Sequence, residues 1–353
     1  MINEIKNIAQ KGMTAVLVGM VLLIPCACSN DGEPEGNDGN MSDGDAVEFT
    51  VMLPNNTTDM YRSRNSTRAF STLDNCWTMN QEMAICEGTT VYKYKASESG
   101  GSGERVALSP SGNCYYWSTL EPSRTFSAWY PYSSTKPTSV PGATDQRSDS
   151  YYSDTPGPMT DDEYNLLDLL YAPDVNVGFK QSVDLDFYHQ MCRIIVTVNS
   201  AATKGAKPVT SVIFGKNNVA AGGTVTPGYT GDPATATASW NVSQTTSVNM
   251  RLSNANSAVK QYTYECIVPP QALAGSEVLF QITTKASDNT TTTTNYIPQN
   301  LYQDAPNFQA GYQYNFMLTL SRQGQISIST LQVSNWATEN VSGLNATVPD
   351  AGY

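Results

Sequence analysis

The chain has one histidine, His189, so any site using histidine as base, acid or ligand must pass through it. It stands in DLDFYHQM, where apolar and polar residues alternate as on a strand, and that setting predicts a packed structural imidazole. No G-x-S-x-G, P-loop or G-x-G-x-x-G lies between a strand and a helix. Asp161, Asp162 and Glu163 could be imagined as glycosidase acids, but adjacent acids at the end of a loop are expected to be solvated. Asp38, Asn40 and Ser42 have the spacing of a calcium loop without its glycine and distal glutamate, so they are expected to belong to a linker. The expectation is a protein without catalytic residues, metal or cofactor.

Cysteine chemistry is the exception. Lys6 and Lys11 precede an apolar run from Met13 to Pro25, followed by Ala27-Cys28 and then Ser29-Asn30-Asp31. The run is shorter than the ~20 residues a membrane-spanning helix needs, and it has the form of an export signal. A small residue before a cysteine at the cut site resembles the lipobox of bacterial lipoproteins, so Cys28 is the expected acylation site. Cys26 has Leu23 three residues before it but Pro25 at the cut, which leaves it as the alternative. One acyl chain holds a protein to a membrane only marginally, and the two or three on a lipoprotein cysteine would hold it durably.

Five further cysteines, Cys76, Cys86, Cys114, Cys192 and Cys266, form no C-x-x-C pair, which argues against zinc or redox chemistry. In an exported chain Cys76 and Cys86 are the first disulfide to test, whereas Cys192 and Cys266 fall in apolar strand patterns and are expected as small core residues.

The elements that must position these groups are strands. The chain has 353 residues, 32 acidic against 20 basic, which argues against nucleic-acid binding. It is rich in Thr, Ser, Tyr, Val and Asn, the composition of pleated sheet and turns. At roughly 150 residues per domain, the length predicts two domains. Residues 1–27 form the signal, and residues 28–46 form an acidic, Gly- and Asn-rich linker that cannot bury enough apolar surface to fold. Residues 47–180 and 181–353 are the two expected β-domains.

VEFTVML at 47–53 alternates as a half-buried strand, and Arg62, Arg64 and Arg68 follow in a polar loop. A Gly/Ser break at 99–103 marks a hairpin turn, and two aromatic-rich strands are expected at 114–117 and 125–132. Residues 133–160 are expected as a long surface loop. Residues 161–171 have helical spacing with acids at the start, although LLDLLYA fits a strand equally. Further strands are expected at 183–198, 209–214, 236–242, 247–252, 262–268, 277–284, 313–320 and 325–333. Many short strands separated by turns indicate an all-β chain of sandwiches.

VEFTVML, STRA at 66–69, FSAWYPY at 126–132, DLLYA at 168–172 and VDLDFYHQMCRIIVTV at 183–198 occur in that order. VPPQAL at 268–273, FQAGYQYNFMLTL at 308–320 and ISISTLQVSNW at 326–336 continue it. Together, behind a lipoprotein-type signal, they resemble the fimbrillins of Bacteroidales. The resemblance implies two tandem transthyretin-like β-sandwich domains, export as an outer-membrane lipoprotein, and a place in a fimbria at the cell surface. Its implied partners are other fimbrial subunits, in a homo- or heteropolymer, and the outer membrane through the lipid anchor. A glycan or protein on a host or bacterial surface is a further implied partner.

The resemblance also implies cleavage after an arginine, which frees strand 47–53 so that a strand of the next subunit takes its place. Arg68 is the first choice for the cut, with Arg64 and Arg62 as alternatives. Only 17 residues follow Trp336, with NVSGLNATV at 340–348 the sole plausible donor strand, which favours a tip or accessory subunit. The competing expectation is a surface glycan-binding lipoprotein, which would present Trp117, Trp129, Tyr130 and Tyr132 as an exposed row.

Overall fold

The computed structural model describes residues 46–54, 75–118, 122–149, 157–202, 207–228, 238–274, 276–297, 307–321 and 325–336. The first half contains β1 (Phe49–Met52), β2 (Glu82–Glu87), β3 (Thr90–Ala96), β4 (Val106–Pro110), β5 (Ser123–Tyr130) and β6 (Ser139–Val140). The short helix α1 (Asp161–Asn165), β7 (Leu170–Gly178), β8 (Val183–Asp186) and β9 (Tyr188–His189) follow. Then come β10 (Cys192–Asn199), β11 (Val209–Val219), β12 (Gly223–Thr226), β13 (Ser239–Val242), β14 (Thr246–Asn249) and β15 (Arg251–Asn256). The last strands are β16 (Gln261–Val268), β17 (Gln271–Ala272), β18 (Phe280–Lys285), β19 (Thr291–Tyr296), β20 (Asn307–Phe308), β21 (Tyr312–Leu320) and β22 (Ile326–Asn335).

Period-two alternation decides where these strands point. In β1 the side chains of Phe49 and Val51 are buried and their neighbours are half-buried. In the longer β10 the buried apolar set is Cys192, Ile194, Val196 and Val198, with Arg193 buried on the other face. The first region is one eight-stranded sheet in the order β8-β1-β4-β3-β2-β5-β7-β9. Seven of its strands contribute to a single core that includes Phe49, Trp77, Met83, Tyr94, Phe126 and Phe187, so the sheet curls around its own apolar face. The second region stacks a five-stranded sheet, β15-β16-β10-β21-β22, on a four-stranded one, β14-β11-β18-β19. Both contribute to one core around Phe214, Phe280 and Phe316, which makes it a sandwich.

Several expectations change. β8 pairs in parallel with β1, and Val183, Leu185 and Phe187 lie in the first core. Lys180, at φ 62°, turns the chain back after β7, so the handover to the second core falls after Phe187 and not at residue 180. Residues 114–117 form no strand, only an isolated bridge from Tyr116 to Ala46. The expected loop at 133–160 carries β6, which pairs with β12, and a fully buried Gln146. The Gln146 side chain accepts from Ile267 N at 2.9 Å and donates to Ile267 O at 2.7 Å, so this segment ties the two regions together.

Thr160 caps α1 in a capping box with Glu163, after which the chain turns into β7, so residues 161–172 are helix and then strand. Cys76 and Cys86 are not joined in a disulfide. Cys86 stands near the end of extended β2 and packs beside Trp129 on the sheet face opposite the main core, whereas Cys76 is buried in the segment ahead of β2. Burial pushes the Cys192 and Cys266 thiols well up, as suits small core residues.

Candidate functional site: the seat of the first strand

β1 occupies an interior position in its sheet although it opens the described chain. On one side it runs antiparallel to β4, with Thr50 opposite Ala107 and Val51 opposite Val106. On the other it runs parallel to β8, with Phe49, Thr50, Val51 and Met52 opposite Val183, Asp184, Leu185 and Asp186. Val183 N donates to Glu48 O at 2.8 Å and Phe187 N to Met52 O at 2.9 Å, while Val47 N donates to Tyr115 O at 3.0 Å. At the far end the Asn75 side chain donates to Leu53 O and Pro54 O, at 3.3 and 3.2 Å.

The inner face of this strand is a row of four buried side chains, Val47, Phe49, Val51 and Leu53. Phe49 meets Tyr94 and Phe126 edge to face, with ring centroids 5.0 and 5.3 Å apart. Tyr94 lies deep enough that burial pushes its phenol up to about 12, and its hydroxyl oxygen accepts from Tyr115 N at 3.0 Å. At about 1.5–3 kcal/mol for each large apolar side chain, the row contributes several kcal/mol, as an upper estimate. Without the strand, β4 and β8 would flank an apolar slot with two unpaired backbone edges.

The outer face is polar. Thr50 Oγ1 donates to Asp184 Oδ1 at 2.6 Å. Arg105, just before β4, reaches across β1 to Asp186 Oδ1 at 2.7 Å. The same guanidinium is 3.4 Å from Thr50 Oγ1 and 3.8 Å from Asp184 Oδ1. Arg105, Asp184 and Asp186 thus bridge β4 and β8 over the strand between them. This brace was absent from the sequence expectations. VDLDF puts Asp184 and Asp186 on the face opposite Val183 and Leu185, but nothing local points to an arginine 81 residues away.

Cys28, Arg62, Arg64 and Arg68 lie outside the described residues, as does the tail after Trp336. The acids at 161–163 have structural work: Glu163 closes the capping box, and Asp161 pairs with Arg251, whose guanidinium lies 4.9 Å from the Tyr164 ring centre. His189 is buried, its Nδ1 2.9 Å from Asp168 Oδ1, and its ring stacks on Trp336 with centroids 4.3 Å apart. It packs as the sequence expected. Trp117, Trp129 and Tyr130 are buried and Tyr132 is half-buried, so the aromatics do not form the exposed row that glycan binding would need.

The profile of the fimbrillin-like family matches residues 67–336. No curated protein matches the chain. Among solved structures, a putative cell adhesion protein from Bacteroides uniformis aligns at TM-score 0.53 and 18% identity, covering 82% of this chain and 97% of its own. Another putative cell adhesion protein, from Bacteroides ovatus, aligns at TM-score 0.55 and 17% identity, covering 84% and 99%. At such identities the likeness is one of fold.

Proposed function

Because the chain belongs to the fimbrillin-like family, we propose that it is a fimbrial subunit that assembles by exchanging its first strand for a strand of a neighbour. The family is structural rather than enzymatic, and membership supports a fimbrial or adhesive role at the cell surface. The observation that carries the finer reading is the seat of β1. It is an amphipathic strand at the start of the described residues, lodged between β4 and β8, and its segment buries four apolar side chains. A cut in the connection between Pro54 and Asn75 would break the covalent link between it and the described strands that follow. The vacated slot would offer both backbone edges and an apolar floor to an incoming strand.

In this reading Cys28 is acylated, the acidic tract 28–46 spaces the fold from the outer membrane, and cleavage after Arg68 releases β1. Arg64 and Arg62 remain alternative cleavage points. Burial of Trp117, Trp129 and Tyr130 disfavours the glycan-binding alternative.

Mass spectrometry of the protein recovered from sheared surface fibres tests the proposal. The expected mature N-terminus in fibres is Ala69, with acylated Cys28 first in the membrane-held precursor. Fibres carrying an intact strand 47–53 would overturn strand exchange, and absence of the protein from fibres would overturn the fimbrial role.

A further inference from the structure

We propose that Arg105, Asp184 and Asp186 select which strand can occupy the slot between β4 and β8, admitting a small hydroxyl residue at its outward centre and rejecting an acidic one. This rests on the reading that β1 is replaced by another strand. The apolar floor cannot supply such selectivity alone, because any strand with alternating large apolar residues would satisfy it. Specificity then needs an element that penalises wrong partners, and the rim of the slot has one.

The residue at position 50 lies directly opposite Asp184 in register, and Arg105 crosses the strand to Asp186. A threonine fits both demands. Its hydroxyl donates to Asp184 at 2.6 Å, and its oxygen faces the Arg105 guanidinium at 3.4 Å. It is also short enough for the Arg105–Asp186 pair to close over it at 2.7 Å. A carboxylate there would meet Asp184 head-on and compete with Asp186 for the one guanidinium, leaving three acids on one base. The rim groups are partly exposed, so their contribution to overall stability is small. Their effect is to discriminate between strands, since like charges placed directly opposite across strands are repulsive.

The test uses the full chain with a protease site inserted after Arg68, cut once. The resident strand is then displaced by fluorescent peptides carrying residues 47–54 with Thr or Glu at position 50. The Thr peptide is expected to bind about tenfold more tightly than the Thr50→Glu peptide. The gap is expected to close when the protein carries Asp184→Asn and Asp186→Asn. Equal binding of both peptides would overturn the selection, and so would a gap that survives the double substitution. If no peptide enters, strand exchange itself fails and the selection falls with it; if the Thr peptide enters without discrimination, only the selection fails. In the uncut chain Thr50→Glu is expected to lower the thermal midpoint and to lose that effect in the Asp184→Asn, Asp186→Asn background. No difference between the two backgrounds would overturn the proposal independently of exchange.

Discussion

β1 and β10 hold the same position in their two regions and are secured in opposite ways. Each lies between one antiparallel and one parallel neighbour: β4 and β8 for β1, β16 and β21 for β10. Each buries an alternating apolar row of four side chains, Val47, Phe49, Val51 and Leu53 in one case and Cys192, Ile194, Val196 and Val198 in the other. β10 is in register with β16 over its whole length, from Cys192 opposite Val268 to Asn199 opposite Gln261, whereas β1 meets β4 at only two positions. On the polar face of β10, Arg193 pairs with Glu265, which is 1% exposed, and also donates to Gln313 at 3.3 Å. On the polar face of β1, the corresponding groups are open to water. The contrast teaches that two interior strands with equal apolar rows differ in their polar faces and ladders, and the proposed exchange of β1 draws on that difference: its affinity would come from an apolar row and short ladders while its charges stay solvated.

The sharpest way to break this comparison is to remove one charge from each region. Arg193→Ala strands a buried carboxylate, and losing one partner of a buried pair costs about 3–5 kcal/mol. Arg105→Ala removes a solvated pair and is expected to cost less than about 1 kcal/mol. Urea unfolding of the two variants measures both. Adding Glu265→Gln to Arg193→Ala should return much of the loss. Equal costs at Arg193 and Arg105 would mean that β1 is locked as firmly as β10.

Next in size is the apolar row itself. Phe49→Ala would open a void beside Tyr94 and Phe126 and is expected to cost about 3 kcal/mol. In the intact chain that loss shows in the unfolding midpoint. In a chain cut after Arg68 it should show as escape of the 47–54 segment, followed by size exclusion, while the second core stays folded. If the cut Phe49→Ala chain keeps its strand, the apolar row does not supply the affinity and strand exchange loses its physical basis.

The alternation in VEFTVML was enough to predict β1, its buried face and its amphipathic character, and VDLDF likewise placed Asp184 and Asp186 outward. What lay beyond reach was register. Neither Arg105 crossing to Asp186 nor β8 lying beside β1 follows from local pattern, because each joins residues far apart in the chain. β19 was missed for a different reason. Its sequence TTTTNY has a single buried residue, Tyr296, so an edge strand there carries no hydrophobic period. The segment after Tyr132 misled because its composition is that of a loop, while its structural role runs through backbone pairing and one buried amide, Gln146.

That segment supplies the smallest and most specific prediction. Asp145 bridges to Asn249 of the second region, and its carboxylate receives the Arg147 guanidinium at 2.8 and 2.7 Å. The Arg147 side chain, and then its backbone N–H, hold the Asp145 carboxyl below the ordinary value of 3.8. A carboxyl whose folded value is depressed stabilises above its unfolded value, and that stabilisation is lost as pH falls through the folded one. Asp145→Asn should therefore destabilise by less than about 1 kcal/mol at neutral pH, the range of a partly exposed ion pair. The difference from the unmodified chain should shrink below pH 3.8 and vanish in stronger acid. Thermal unfolding across that range decides it. If the difference grew in acid, the sign would be reversed, and the Asp145–Arg147 pair could not be what steadies the strap joining the first region to the second.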